Sequence, residues 1–247
     1  VEQVRQAGRR ALENLVELVL GEGAAFLLLA GDLYDGDWKD YNTGLFFCRQ
    51  MARLAEAGVP VFAVAGNHDA ASSLTARLHP PDNVCLLSAS RPETRRIERL
   101  GVAVHGRSYP EPAVTEDLAA GLPPAAAGLF NIGLLHTSLD GRPGHERYAP
   151  CRLDGLCGHG YDYWALGHVH AHEVVHREPH VVFPGCLQGR HARETGPKGA
   201  CLVTVADGAV TALEHRPLDV LRWVRCEVEL DAVAHERDLL DTVRAAL

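Results

Sequence analysis

The alternation of apolar and polar positions sorts the chain into helices and short buried strands. Val4, Ala7, Ala11, Leu15 and Leu18 recur on one helical face, and "GEG" (21–23) closes that pattern. "AAFLLLA" (24–30) is short and wholly apolar and ends at Gly31, which predicts a strand covered on both faces. "LFFCRQMARLAEAG" (45–58) predicts an amphipathic helix closed by Gly58, and "VPVFAVAG" (59–66) a second buried strand. Strand, helix, strand in that order predicts an α/β fold around a parallel central sheet. Further strands are expected at 102–105, 131–135 and 162–166, and a short helix with a Pro/Gly/Ala loop over 111–128. From about 173, "EVVH", "HVVFPG", "ACLVTV" and "AVTALEHR" predict short strands, with "ADG" (206–208) as a hairpin turn. The core is expected to span 1–217, and "LDVLRWVRCEVEL" with a final helix to begin an appended unit over 218–247.

Composition narrows the setting. With 247 residues, 47% of them hydrophobic, the chain can bury a sizeable core. A formal charge of -8 excludes a diffuse basic surface, so any contact with nucleic acid must come from a local site. Seven cysteines without CxxC spacing predict reduced thiols and a cytoplasmic protein. No run approaches the ~18 apolar residues of a membrane span, so no membrane is expected as a partner. Met51 is the only methionine, and both termini fall inside helical patterns; the sequence is expected to be part of a longer chain.

Four apolar strands each end in a polar cluster. Asp32 and Asp35 follow the first, Asn67, His68 and Asp69 the second, His136 a third, and His168 and His170 a fourth. Ligands of open α/β sheets bind at the carboxyl ends of strands, where residues distant in sequence converge. Imidazole, carboxylate and amide donors without cysteine suit manganese, iron or zinc. A bridging carboxylate can hold two cations ~3.5–4 Å apart, suited to in-line attack at phosphorus. Taken singly, Asp32 fits a helix cap, Asn67 a turn and His136 a core histidine; the four clusters together point to a metal site. His168 and His170 share one face of an extended segment. His172 is expected to face solvent.

"GDLYD", "GNHD", the histidine of "LLHTS" and "GHVH", in this order, resemble the signatures of the calcineurin-like metallophosphoesterases. "VFPGCLQGRHARETGPKGACLVTV" (182–205) with "PLDVLRW" (217–223) is similar to the DNA-repair exonuclease branch, the SbcD-like nucleases. The resemblance implies a four-layer βαββα sandwich, two mixed sheets flanked by helices, and a centre of two divalent metal ions, usually Mn2+. It implies Asp32 as the bridging ligand, Asn67, His136 and His168 at the second metal, and His170 at the first. His68 would face the scissile phosphate, Asp35 would orient His68, and Asp69 would fix the loop. One element is absent: the family begins with a D-x-H motif on its first strand, and residues 1–23 hold no aspartate and no histidine. The first strand is therefore expected to be missing and the first metal site incomplete.

The implied activity is hydrolysis of DNA phosphodiester bonds, with an SMC-like ATPase as partner. Arg190 and Arg193 in "QGRHARETGPKG" are candidates for phosphate contacts. The apolar bulk of "YNTGLFFCRQM" fits a homodimer surface or plain core packing. Two rival readings are a phosphatase or small-molecule phosphodiesterase of the same fold, and a non-catalytic scaffold.

Overall fold

The computed structural model describes residues 2–33, 41–71, 79–141, 146–228 and 235–246. The chain runs through α1 (Glu2–Gly21), β1 (Leu27–Leu29), α2 (Tyr41–Glu56), β2 (Val61–Ala63), the short α3 (Asn67–Ala71) and β3 (Val84–Leu86). It continues through β4 (Glu93–Ile97), β5 (Val102–Gly106), β6 (Phe130–His136), α4 (Leu153–Gly158) and β7 (Tyr163–Gly167). β8 (Glu173–Arg177), β9 (His180–Phe183), β10 (Gly199–Ala206), β11 (Ala209–Pro217) and α5 (Glu236–Ala246) complete it.

The strands form two sheets, as the resemblance implies, and the parallel central sheet read from the strand order is divided between them. β1, β2 and β3 form one parallel sheet, whereas β6 and β7 lie in a separate sheet of order β4-β5-β6-β7-β9-β8. That second sheet is parallel in its middle and antiparallel at both edges. β10 and β11 form a hairpin. Its turn residues Asp207 and Gly208 both have positive φ, as a tight hairpin of this hand requires.

Side-chain alternation explains the layering. Phe130, Ile132 and Leu134 of β6, with Tyr163 and Ala165 of β7, face inward and pack against Phe62 and Val64 of the first sheet's β2 segment. Leu135, Trp164 and Leu166 alternate to the other face, with Leu156 of α4 and the 109–122 loop. Leu15, Val16 and Val19 of α1 and Phe47, Met51 and Leu54 of α2 cover the outside of the first sheet. Helices, sheet, sheet and helix-plus-loop make four layers. Much of the apolar bulk of α2 is thus spent in this core, although Leu45 stays about half exposed.

The helix expected within 111–128 is not formed. Prolines at 112 and 123 leave ten residues between them, fewer than an isolated helix needs to offset its nucleation cost. Turns take its place, with Asp117 Oδ1 accepting from the Ala119 and Ala120 amides, and Val114, Leu118 and Leu122 are still buried. Past Pro217 the chain lies against the core: Leu218 is buried with the α1–α2 cluster. Among the described residues, β1 is paired on one side only. A cavity of about 980 Å³ opens beside it, lined by Leu15, Leu28, Phe130 and Tyr163 and reaching Asp32, His168 and His170.

Candidate metal centre

Two sheets bring their strand ends to one place because glycines let the backbones close up. A Cβ on Gly167, at the end of β7, would collide with the Ala30 carbonyl after β1 and come within 2.8 Å of His136 Nδ1. On Gly66, after β2, it would strike the Asp32 carboxylate and lie 2.8 Å from the His136 ring. Gly31 has φ +91, and a side chain there would meet the same ring. His136 is therefore seated among three glycines and is almost fully buried.

The hydrogen bonds of His136 define the chemistry. Its Nδ1 donates to the Ala30 carbonyl at 2.8 Å. A neutral ring then presents a bare lone pair at Nε2. That atom faces Asn67 Oδ1 at 3.0 Å and Asp32 Oδ2 at 3.3 Å. Three acceptors turned toward one another repel unless a proton or a metal cation lies between them. Burial raises the Asp32 pKa; with a proton in that gap, the hydrogen bond and charge of the resulting His136 imidazolium, with the His68 amide, outweigh it and hold the carboxyl below its ordinary value. Among the described residues no group of three His, Cys, Asp or Glu side chains is arranged to hold a metal ion. The amide oxygen of Asn67 is the third donor beside Asp32 and His136.

The backbone is under strain at two of these positions. Asp32 has φ 50 and His168 φ 96, left-handed values that non-glycine residues seldom adopt. Outliers of this kind persist where packing over-determines them, and they cluster at functional sites. Asp69 fixes the turn, its Oδ2 accepting from the Leu33 and Gly66 amides at 3.2 and 3.1 Å.

The remaining candidates are placed as follows. The ring of His168 lies edge-on to that of His136, 5.2 Å between centroids, and its Nε2 donates to the Glu146 carbonyl at 2.9 Å. His68, half-buried in α3, donates its backbone amide to Asp32 Oδ1 at 3.0 Å. His170 is turned toward the 188–199 loop, its Nδ1 2.5 Å from Glu194 Oε1. Arg190 and Arg193 are exposed on that loop, and the Arg190 amide donates to Glu194 Oε2. Asp35 lies outside the described residues. His172 departs from expectation: it is half-buried and stacks on His215 at 4.5 Å, because β11 runs beside it.

Two residues escaped the sequence reading. Glu194 was hidden among the arginines of its loop, and only its contact with His170 reveals it. Tyr109, three residues past β5, packs edge-on to the His136 ring at 5.4 Å with its buried hydroxyl unpaired. The strand-end rule that found His136 could have found it too. Burial, with the Asp32 charge adding to it, pushes its phenol far above the ordinary range.

The layered sandwich carries an imidazole–carboxylate–amide cluster at its strand ends, the donor types of a metallophosphoesterase. The comparisons place it further: residues 5–172, more than half of the sequence, match the calcineurin-like phosphoesterase family, and the chain belongs to that family. It is 35% identical over 232 residues to the uncharacterized metallophosphoesterase YhaO of Bacillus subtilis (strain 168), covering 92% of this chain and 57% of that protein. It is 27% identical over 169 residues to the DNA double-strand break repair protein Mre11 of Sulfurisphaera tokodaii, covering 65% and 42%. With Mre11 of Methanopyrus kandleri the identity is 28% over 198 residues, covering 73% and 43%. The chain thus spans about half the length of the curated relatives it matches. Among the described residues no helix is long and apolar enough to cross a membrane.

Proposed function

We propose that this chain is the phosphodiesterase part of a DNA-processing nuclease. The carrying observation for metal chemistry is the trio of acceptors formed by Asp32, Asn67 and His136. Their donor types suit Mn2+, with His168 as the fourth ligand. When bound, such a cation supplies Lewis-acid polarisation of a phosphoryl oxygen and a nucleophile at neutral pH. His68 sits beside Asp32 to stabilise charge on the phosphate or protonate the leaving oxygen. Asp32 and His170 are the donors at the first metal site, where two described ligands hold a cation weakly. Support for DNA as substrate comes from similarity to two proteins named as double-strand break repair proteins, and from exposed Arg190 and Arg193 near His170. An SMC-like ATPase, a homodimer and a cytoplasmic setting belong to the same reading.

Incubation with Mn2+ and labelled duplex DNA, in parallel with a chromogenic phosphodiester, tests it. We expect slow, Mn2+-dependent DNA cleavage that Asp32→Asn abolishes. Hydrolysis of the small ester with DNA left intact would move the protein to the rival small-molecule reading. No hydrolysis of either, with metal bound, would favour a scaffold.

A further inference from the structure

We infer that Glu194 is a positioning residue that sets the tautomer and direction of the His170 ring. The inference rests on the reading of His170 as a metal ligand. His170 Nδ1 lies 2.5 Å from Glu194 Oε1. A carboxylate only accepts, so Nδ1 carries the proton, and in the neutral ring Nε2 holds the lone pair. Residues whose outer partners fix a ring in this way hold metals more tightly.

Glu194 is itself held. Its second oxygen accepts the Arg190 amide at 2.6 Å, and the residue is buried at 8% exposure. Buried Lys198, from the same loop, donates Nζ to the His170 carbonyl at 3.1 Å. The loop thus grips both ring and backbone of His170. Residues past Pro217 brace the loop in turn. Gln188 Oε1 accepts from the Val220 and Leu221 amides at 2.8 and 3.2 Å. Trp223 Nε1 donates to the Gly189 carbonyl at 3.2 Å, and Leu218 donates its amide to the Lys198 carbonyl at 2.8 Å. The segment that follows the core therefore bears on His170 through one loop and one carboxylate.

Long-range proton–nitrogen NMR of the histidine rings tests this, with His170 assigned by His170→Gln and Zn2+ as the diamagnetic probe. Two variants are compared, Glu194→Ala and Glu194→Gln. The second keeps the size of the side chain. If its oxygen retains the Arg190 amide, its NH2 faces Nδ1 and selects the opposite tautomer. The His105 ring, hydrogen-bonded to Thr94 and Asn131 in the other part of the sheet, reports whether the fold is intact. In the wild type we expect a fixed Nδ1–H tautomer at His170. Both variants should lose it, and Zn2+ affinity read at the His170 ring should fall ~10–100-fold while the His136 signal responds as before. An unchanged tautomer in both variants overturns the inference. If Zn2+ reaches no ring of the wild type, the metal reading falls, and the tautomer comparison alone still decides the role of Glu194.

Discussion

At the scale of single residues, the site is a problem of unsatisfied acceptors. His136 spends its proton on the Ala30 carbonyl, so its Nε2 offers no proton to the oxygens of Asp32 and Asn67 that face it. Asp32→Asn removes the charge that draws the cation, and should lower hydrolysis by more than about 100-fold, beyond the ~10–100-fold typical of outer partners, in a rate assay at saturating Mn2+. Gly167→Ala acts sterically. Its methyl meets the Ala30 carbonyl, so β1 and β7 must separate. Overpacking of this kind costs about 1–3 kcal/mol, which denaturant titration will read, and the metal affinity of the variant should fall with it. The convergence of Asp32, Asn67, His136 and His168 was legible in the sequence, because each follows an apolar strand. What was not legible was pairing. Nothing in "QGRHARETGPKG" says that its glutamate, rather than its arginines, turns toward His170.

At the scale of elements, short apolar runs carried the prediction of β6 and β7, whose two faces enter different cores. β4 was missed because "ETRRI" is an edge strand with arginines exposed to solvent, so no apolar run marks it. Two sheets were implied by the resemblance, but which strands enter which sheet was hidden. Each strand reads alike locally, and only the packing of Phe62 and Val64 on Leu134 separates them. Trp164 lies in the outer core against Gly133 with its indole N–H donating to the Leu156 carbonyl at 3.1 Å. Trp164→Ala should destabilise the fold by about 3–5 kcal/mol, measured by denaturant unfolding. The segment past β11 carries a pH prediction. Arg222 holds the Asp219 carboxyl below its ordinary value, against burial that raises it, with the Lys198 amide assisting. A depressed folded pKa contributes stability above the unfolded value near ~3.9, and that stability disappears as pH falls through the folded value. Asp219→Asn should therefore lower the melting midpoint at neutral pH, and the difference from wild type should vanish in acid.

At the scale of the whole molecule, two sheets, each capped by its own helices, bring four strand ends to one face. The family and its four-layer form were legible because its motifs sit at turns whose spacing the strands fix. The surroundings of the first metal site were not, since His170 turns toward Glu194, a contact no motif announces. The central claim is that Asp32, Asn67, His136 and His168 hold a divalent cation. Elemental analysis after equilibration with Mn2+ and desalting tests it most directly. The account predicts one tightly held Mn2+ per chain in the wild type and none in Asp32→Asn or His136→Ala. A folded wild type without tightly held metal, or metal content unchanged in both variants, would contradict it.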